Sequence, residues 1–150
     1  MAKSPSKAAR IAASAAIVSL TATICLASAG DAGELAIRIT GLRSEEGFLR
    51  AAVCERETFL QPRCALGGLA PAARAEIVVS GVPAGRYAVQ VHHDENANGR
   101  VDRARLGRPL EGLGFSRDAP MRFGPPRFAD AVVGVPEAGG AVTLKMRYFR

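Results

Sequence analysis

The sequence predicts an all-β fold, and three observations predict it. Beyond position 30 the apolar residues recur with period two, the runs are separated by Gly and Pro clusters, and no amphipathic helix of useful length interrupts them. Leu35, Ile37 and Ile39 alternate with Ala36, Arg38 and Thr40, and Gly41 ends the run. Phe48 to Cys54 is a second strand, with Leu49, Ala51 and Val53 on one side. Ala75 to Ser80 holds the β-branched run Ile77-Val78-Val79. Arg86 to His92 sets Tyr87, Val89 and Val91 on one face, Arg127 to Val133 follows, and Ala141 to Tyr148 alternates Val142, Leu144, Met146 and Tyr148 with polar or small residues. Six short strands with such punctuation predict an antiparallel sandwich or barrel. Ala65 to Ala75 has room for a helical turn, but Gly67, Gly68 and Pro71 oppose more than that.

The 150 residues amount to one domain, and the first of them lie outside it. Met1 to Arg10 carries Lys3, Lys7 and Arg10 and no acid, Ile11 to Ala27 is apolar or small apart from Ser and Thr, and Ala27-Ser28-Ala29 has the small-x-small form that signal peptidase accepts. The pattern predicts a signal peptide over 1–29, a domain over 30–150, and a destination in the periplasm or beyond the cell. An uncleaved anchor is the alternative. The run is short and alanine-rich against the roughly 20 residues that span a bilayer. Lipidation at Cys25 is set aside, since Ile24 and Ala22 stand where a small residue and leucine are wanted. No membrane span is expected after cleavage.

The formal charge of +6 includes the three basic residues of the leader, so the mature chain keeps +3. Its arginines lack interleaved aromatics, which are 5% of the chain with Trp absent, so a stacking platform for nucleic acid is excluded. A monomer with an unidentified protein or envelope partner is expected. Cys54 and Cys64 remain after export and read first as a disulfide. A redox dithiol would call for C-x-x-C spacing, and a thiolate metal pair is the remaining alternative.

Chemistry concentrates in His92 to Asp102, HHDENANGRVD. With Asp94 as position one, Asn96 is three, Asn98 five, Gly99 six, Arg100 seven and Asp102 nine. Ca²⁺ takes six to eight oxygens at about 2.4 Å, and a wrapping loop supplies them from alternate residues, with a glycine at the sharp turn and a backbone carbonyl at position seven. Asp94, Asn96, Asn98, the Arg100 carbonyl and Asp102 fit that scheme, and Val101 can anchor the loop on the core. The fit fails at position twelve, where a bidentate Glu is wanted and Arg105 stands. Arg100, Arg103, Arg105 and Arg108 oppose a cation if they point inward, and only Glu95 or Glu111 could add charge. The alternative is an Asx-rich turn, since Asn and Asp bond their own backbone and Asn98-Gly99 favours a hairpin.

The loop opens a stretch from Asp94 to Pro126 with little periodicity, which holds Gly99, Gly107, Gly112, Gly114 and Gly124, four prolines, and Phe115 and Phe123. A connection this long is functional or disordered; its aromatics favour an ordered excursion. His92 and His93 are adjacent on a strand and point to opposite faces. His93 is expected inside, bonded to the loop. A hydrolase-type enzyme would combine His93, Asp94 or Asp102, and Ser116, but Gly114-Phe115-Ser116-Arg117 is not a nucleophile elbow. A transition-metal carrier using His92 or His93 is a third class.

Several segments, in order, resemble a known family: Val82-Pro83-Ala84-Gly85-Arg86-Tyr87-Ala88-Val89, His93 to Asp102, Gly107-Arg108-Pro109-Leu110-Glu111-Gly112-Leu113-Gly114-Phe115-Ser116, and Phe128-Ala129-Asp130-Ala131. The chain resembles the DUF2141 family of exported bacterial proteins of unknown function, from about Leu35 to the C-terminus. The V-P-A-G-R-Y piece is similar to transthyretin-like and collagen-adhesin B-type modules, which implies a Greek-key, immunoglobulin-like sandwich of about seven strands serving as stalk, spacer or binding module. The chain departs from the family in its Arg100 to Arg108 segment, which opposes a cation site, and in its Cys54/Cys64 pair. The resulting expectation is a non-catalytic, exported β-sandwich.

Overall fold

The computed structural model describes residues 32–62 and 64–149. The leader, its cleavage site and Cys25 lie outside the described residues. Eight strands form two sheets. They are β1 Gly33–Thr40, β2 Phe48–Cys54, β3 Leu66–Pro71, β4 Glu76–Val82, β5 Gly85–Asp94, β6 Gly112–Phe115, β7 Val132–Val135 and β8 Gly140–Lys145. The smaller sheet has the order β4-β1-β8, and the larger runs β3-β2-β5-β6 with β7 also on β5. Every pairing is antiparallel except β1 with β8. Those two strands open and close the domain, so no hairpin constrains their direction.

The core lies between the sheets. Leu35, Ile37 and Ile39 of β1, Ile77 and Val79 of β4, and Leu144 of β8 face Leu49, Ala51 and Val53 of β2 and Tyr87, Val89 and Val91 of β5. These are the period-two positions of the sequence, and burial follows the same alternation. Tyr87 starts the inward face of β5 and closes the preceding turn by donating its hydroxyl to the Pro83 carbonyl at 3.1 Å. The sheets are stitched at one side by paired backbone bonds between Leu113 and Arg147, at 3.0 and 2.8 Å.

The larger sheet is covered on its outer face as well. Cys54, Ala88 and Phe115 pack there with Phe59, Ala119 and Ala131. Phe59 meets Phe115 and Phe128 edge-on, with ring centroids 6.0 and 5.8 Å apart. Cys54 and Cys64 are joined, with Cα atoms 5.0 Å apart, which pins the segment carrying Phe59 under this second layer. The expected disulfide is therefore present.

Three elements differ from the sequence expectation. Leu66–Pro71 is a strand, and the helical turn for which Ala65 to Ala75 has room is confined to Ala72–Arg74. The strand lies at a sheet edge, where Gly and Pro cost little, and Gly68 leaves room for Ile77, whose Cγ2 would sit 2.6 Å from an added Cβ. Gly112–Phe115 is a strand inside the long excursion, and its glycines admit the Tyr148 ring and the Leu144 side chain. The segment Arg127 to Val133 is not one strand: Phe128–Ala131 makes a helical turn, held by Arg127 against Asp130 at 3.0 Å, and β7 begins only at Val132.

Reduction of the Cys54–Cys64 bond should lower stability by about 3 kcal/mol, the loop-closure value for a short loop. Denaturant titration with and without reductant checks this. A Cys54→Ala/Cys64→Ala double variant should match the reduced wild type.

Candidate functional site in the loop from Asp94 to Glu111

The site begins with strand register. Arg50 of β2 sits opposite His92 of β5, and Phe48 opposite Asp94, so Arg50, His92 and Asp94 share the outer face. Arg50 reaches diagonally to Asp94, its Nε donating to Oδ2 at 2.7 Å. Asp94 is fully buried. Its carboxylate also accepts the N–H groups of Asn98 at 3.0 Å and Gly99 at 2.9 Å. The chain turns around that carboxylate, with Ala97 at φ 57° and Gly99 at φ 81°. Gly47, at φ 70°, lies against the Asp94 carbonyl so closely that a Cβ there would collide with it.

Glu111 holds the other end. It is buried, its Oε1 accepts the Glu95 N–H at 3.2 Å, and its Oε2 accepts the Asp102 N–H at 3.1 Å and lies 2.8 Å from His92 Nε2. The two buried carboxylates thus take four backbone N–H groups of the loop. Of the two acids the sequence offered as additions, Glu111 folds in and Glu95 turns away. Glu95 pairs with the Arg43 guanidinium and accepts the Ser44 hydroxyl at 2.8 Å.

The polar side chains of positions three, five and nine converge. Asn96 Nδ2 donates to Asp102 Oδ2 at 2.7 Å, and Asn98 Nδ2 lies 3.1 and 3.0 Å from the two Asp102 oxygens. The Asn amide oxygens accept backbone N–H groups in turn, Asn96 from Asn98 at 3.1 Å and Asn98 from Arg100 at 3.0 Å. Arg100 is exposed. Asn96, Asn98 and Asp102 are therefore brought together, while Asp94 sits beneath them, bonded to Arg50. Among the described residues no three His, Cys, Asp or Glu side chains gather as a metal-binding group.

The histidines point to opposite faces, as strand geometry requires. His93 is fully buried between the Glu46 carbonyl, 2.9 Å from Nε2, and the Tyr148 hydroxyl, 2.7 Å from Nδ1. A carbonyl only accepts, so Nε2 donates to it and Nδ1 takes the Tyr148 proton. Arg43 lies 4.5 Å over the Tyr148 ring and donates its backbone N–H to the Tyr148 oxygen at 3.3 Å. Burial raises the Tyr148 pKa. Ser116 is also fully buried, but its hydroxyl accepts the Val89 N–H at 2.9 Å and donates to the Ala131 carbonyl. Val89 is four residues along β5 from His93, about 13 Å. The His93–Ser116 pairing that a hydrolase would use is not made.

Burial pushes the Asp94 carboxyl up, and the bonds from Arg50, Gly99 and Asn98 overcome it, leaving the pKa below the ordinary aspartate value. Arg43 lowers the Glu95 pKa, against burial and with help from Ser44. A carboxyl depressed in the folded state stabilises fully above its unfolded value, near pH 4, and that contribution is lost as pH falls through the folded value. Asp94→Asn should therefore cost about 3 kcal/mol at neutral pH, because Arg50 keeps its charge beside an amide. The gap to wild type should narrow as pH falls below the ordinary aspartate value and close once the lowered folded-state value is passed. Denaturation midpoints at neutral and acid pH check it.

A model of the family described as an uncharacterized protein conserved in bacteria, DUF2141, matches residues 37–143. No curated protein and no solved structure matches the chain. The match spans β1 to β8 and includes the whole loop from Asp94 to Glu111, so the chain belongs to the DUF2141 family.

Proposed function

We propose that this protein is an exported, non-catalytic β-sandwich module, periplasmic or secreted, whose Asp94–Asp102 loop takes a Ca²⁺ ion and presents a binding surface. The observation that carries the calcium part is the convergence of Asn96, Asn98 and Asp102 on one point of a loop whose backbone is already held by Asp94 and Glu111. Amide orientation responds to what lies opposite. Without a cation, the Asn96 and Asn98 NH₂ groups satisfy Asp102. With Ca²⁺ at that point, both amides would turn their oxygens inward beside the carboxylate and the Arg100 carbonyl. That rotation gives up the amide contacts to Asp102 and the two backbone N–H bonds that the amide oxygens accept, so the affinity belongs in the weak range of extracellular modules, near millimolar.

Export is supported by the basic, apolar and small-residue succession at the N-terminus and by the Cys54–Cys64 disulfide, which suits an oxidising compartment. A non-catalytic role is supported by the bonding of His93 and Ser116, whose polar atoms are taken up by Glu46, Tyr148 and the β5 backbone. A second reading keeps the loop as a metal-free turn. It is favoured by Arg50, whose guanidinium neutralises Asp94 from below.

Thermal unfolding in EDTA and in millimolar Ca²⁺ separates the readings. Saturation at about 100 times the dissociation constant should stabilise by roughly 2.7 kcal/mol, a shift of several degrees. Asp102→Asn should abolish the shift with little effect in EDTA, whereas Asp94→Ala should destabilise in both conditions. A melting temperature indifferent to calcium leaves only the turn. N-terminal sequencing of the exported product should begin at Gly30.

A further inference from the structure

The long excursion ends in two loop tips of unusual composition. Leu106 and Phe123 are 98% and 105% exposed, values reached only by side chains that project fully into solvent. Leu106 lines a groove of about 390 Å³ together with Arg122 and Gly124, the chain neighbours of Phe123. Leu113, Phe115, Met121 and Pro125 give the groove its apolar lining. Its rim is cationic, with Arg103, Arg108 and Arg122, and exposed Arg105 precedes Leu106 directly.

The carboxylates of the excursion are Asp94 and Glu95, paired with Arg50 and Arg43, and Asp102, Glu111 and Asp118. Asp102 is occupied by Asn96 and Asn98, Glu111 by buried donors, and Asp118 by the Lys145 backbone N–H at 2.8 Å. Among the described residues, Arg103, Arg105, Arg108 and Arg122 form no ion pair.

We propose that this face docks on an anionic lipid bilayer, with Leu106 and Phe123 inserted at the headgroup boundary and the surrounding arginines on lipid phosphates. Arginine binds phosphate through a planar fork of donors, and unpaired arginines around apolar tips match an anionic interface in charge as well as polarity. A bilayer accepts two isolated protruding side chains. A protein partner of standard size would bury about 800 Å² with close shape complementarity, which two fully exposed side chains do not by themselves offer. The proposal rests on the export part of the reading above and not on calcium, so its test is run in EDTA.

The test is co-sedimentation of the exported product with vesicles of phosphatidylethanolamine and phosphatidylglycerol, beside vesicles of phosphatidylcholine alone. Partition should favour the phosphatidylglycerol vesicles and weaken steeply as salt is raised. Arg105→Gln/Arg108→Gln/Arg122→Gln should lower partition on the anionic vesicles about a hundredfold, the product of roughly fivefold per charge. Leu106→Ser/Phe123→Ser should lower it at least tenfold while the melting temperature stays unchanged, since neither side chain packs on the core. Variants that all partition as the wild type does overturn the proposal. So does failure of the wild type to sediment with anionic vesicles at low salt, which would leave the face to a soluble acidic partner.

Discussion

The loop from Asp94 to Glu111 depends on two carboxylates taken out of water. A bare buried carboxylate is costly, and each of these is made tolerable by donors it gathers around itself. Asp94 draws in Arg50 and the N–H groups of Asn98 and Gly99; Glu111 draws in His92 and the N–H groups of Glu95 and Asp102. Irregular backbone otherwise lacks partners when it packs on a sheet. The anions supply them, so an aperiodic segment can lie against β2 and β5 in one conformation.

That arrangement explains the burial of β5 on both faces. Tyr87, Val89, Val91 and His93 face the sandwich core, while Ala88, His92 and Asp94 face the excursion. A second small core around Phe59, Phe115 and Phe128 fixes the rest of the covering layer, and the disulfide anchors its near edge. Ser116 belongs to this layer as a structural group. Its hydroxyl bonds the β5 backbone at Val89 and the helical turn at Ala131, joining three elements at one atom. The result is a rigid support beneath loop tips that carry the exposed Leu106 and Phe123 and the surrounding arginines.

The strands that sequence reasoning identified are those whose side chains alternate between core and solvent, β1, β2, β4, β5 and β8. β3 and β6 escaped it because their glycines are set by neighbours remote in sequence: Ile77 over Gly68, Tyr148 over Gly112, Leu144 over Gly114. Arg127 to Val133 misled because its apolar residues serve the outer core through a helical turn before pairing begins. At the site, the alternation of Asp94, Asn96, Asn98 and Asp102 announced a loop organised by side-chain oxygens, and Asn98-Gly99 its turn. Arg50 gave no signal of its own. It lies 44 residues from Asp94 and meets it only through the β2–β5 register.

By itself the sequence determined the all-β class, the main core, the opposed directions of His92 and His93, the Cys54–Cys64 pairing and the composition of the loop. These follow from local rules: period two along a strand, the turn preferences of Asn, Asp and Gly, and the pairing of two cysteines. Tertiary structure decided which carboxylates are buried beneath the loop and which stay at its surface. Asp94 and Glu111 are consumed by backbone donors and by Arg50 and His92, while Asn96, Asn98 and Asp102 meet at the surface. The reason is physical: a carboxylate's role depends on whether donors surround it, and those donors come from strands brought together only by folding.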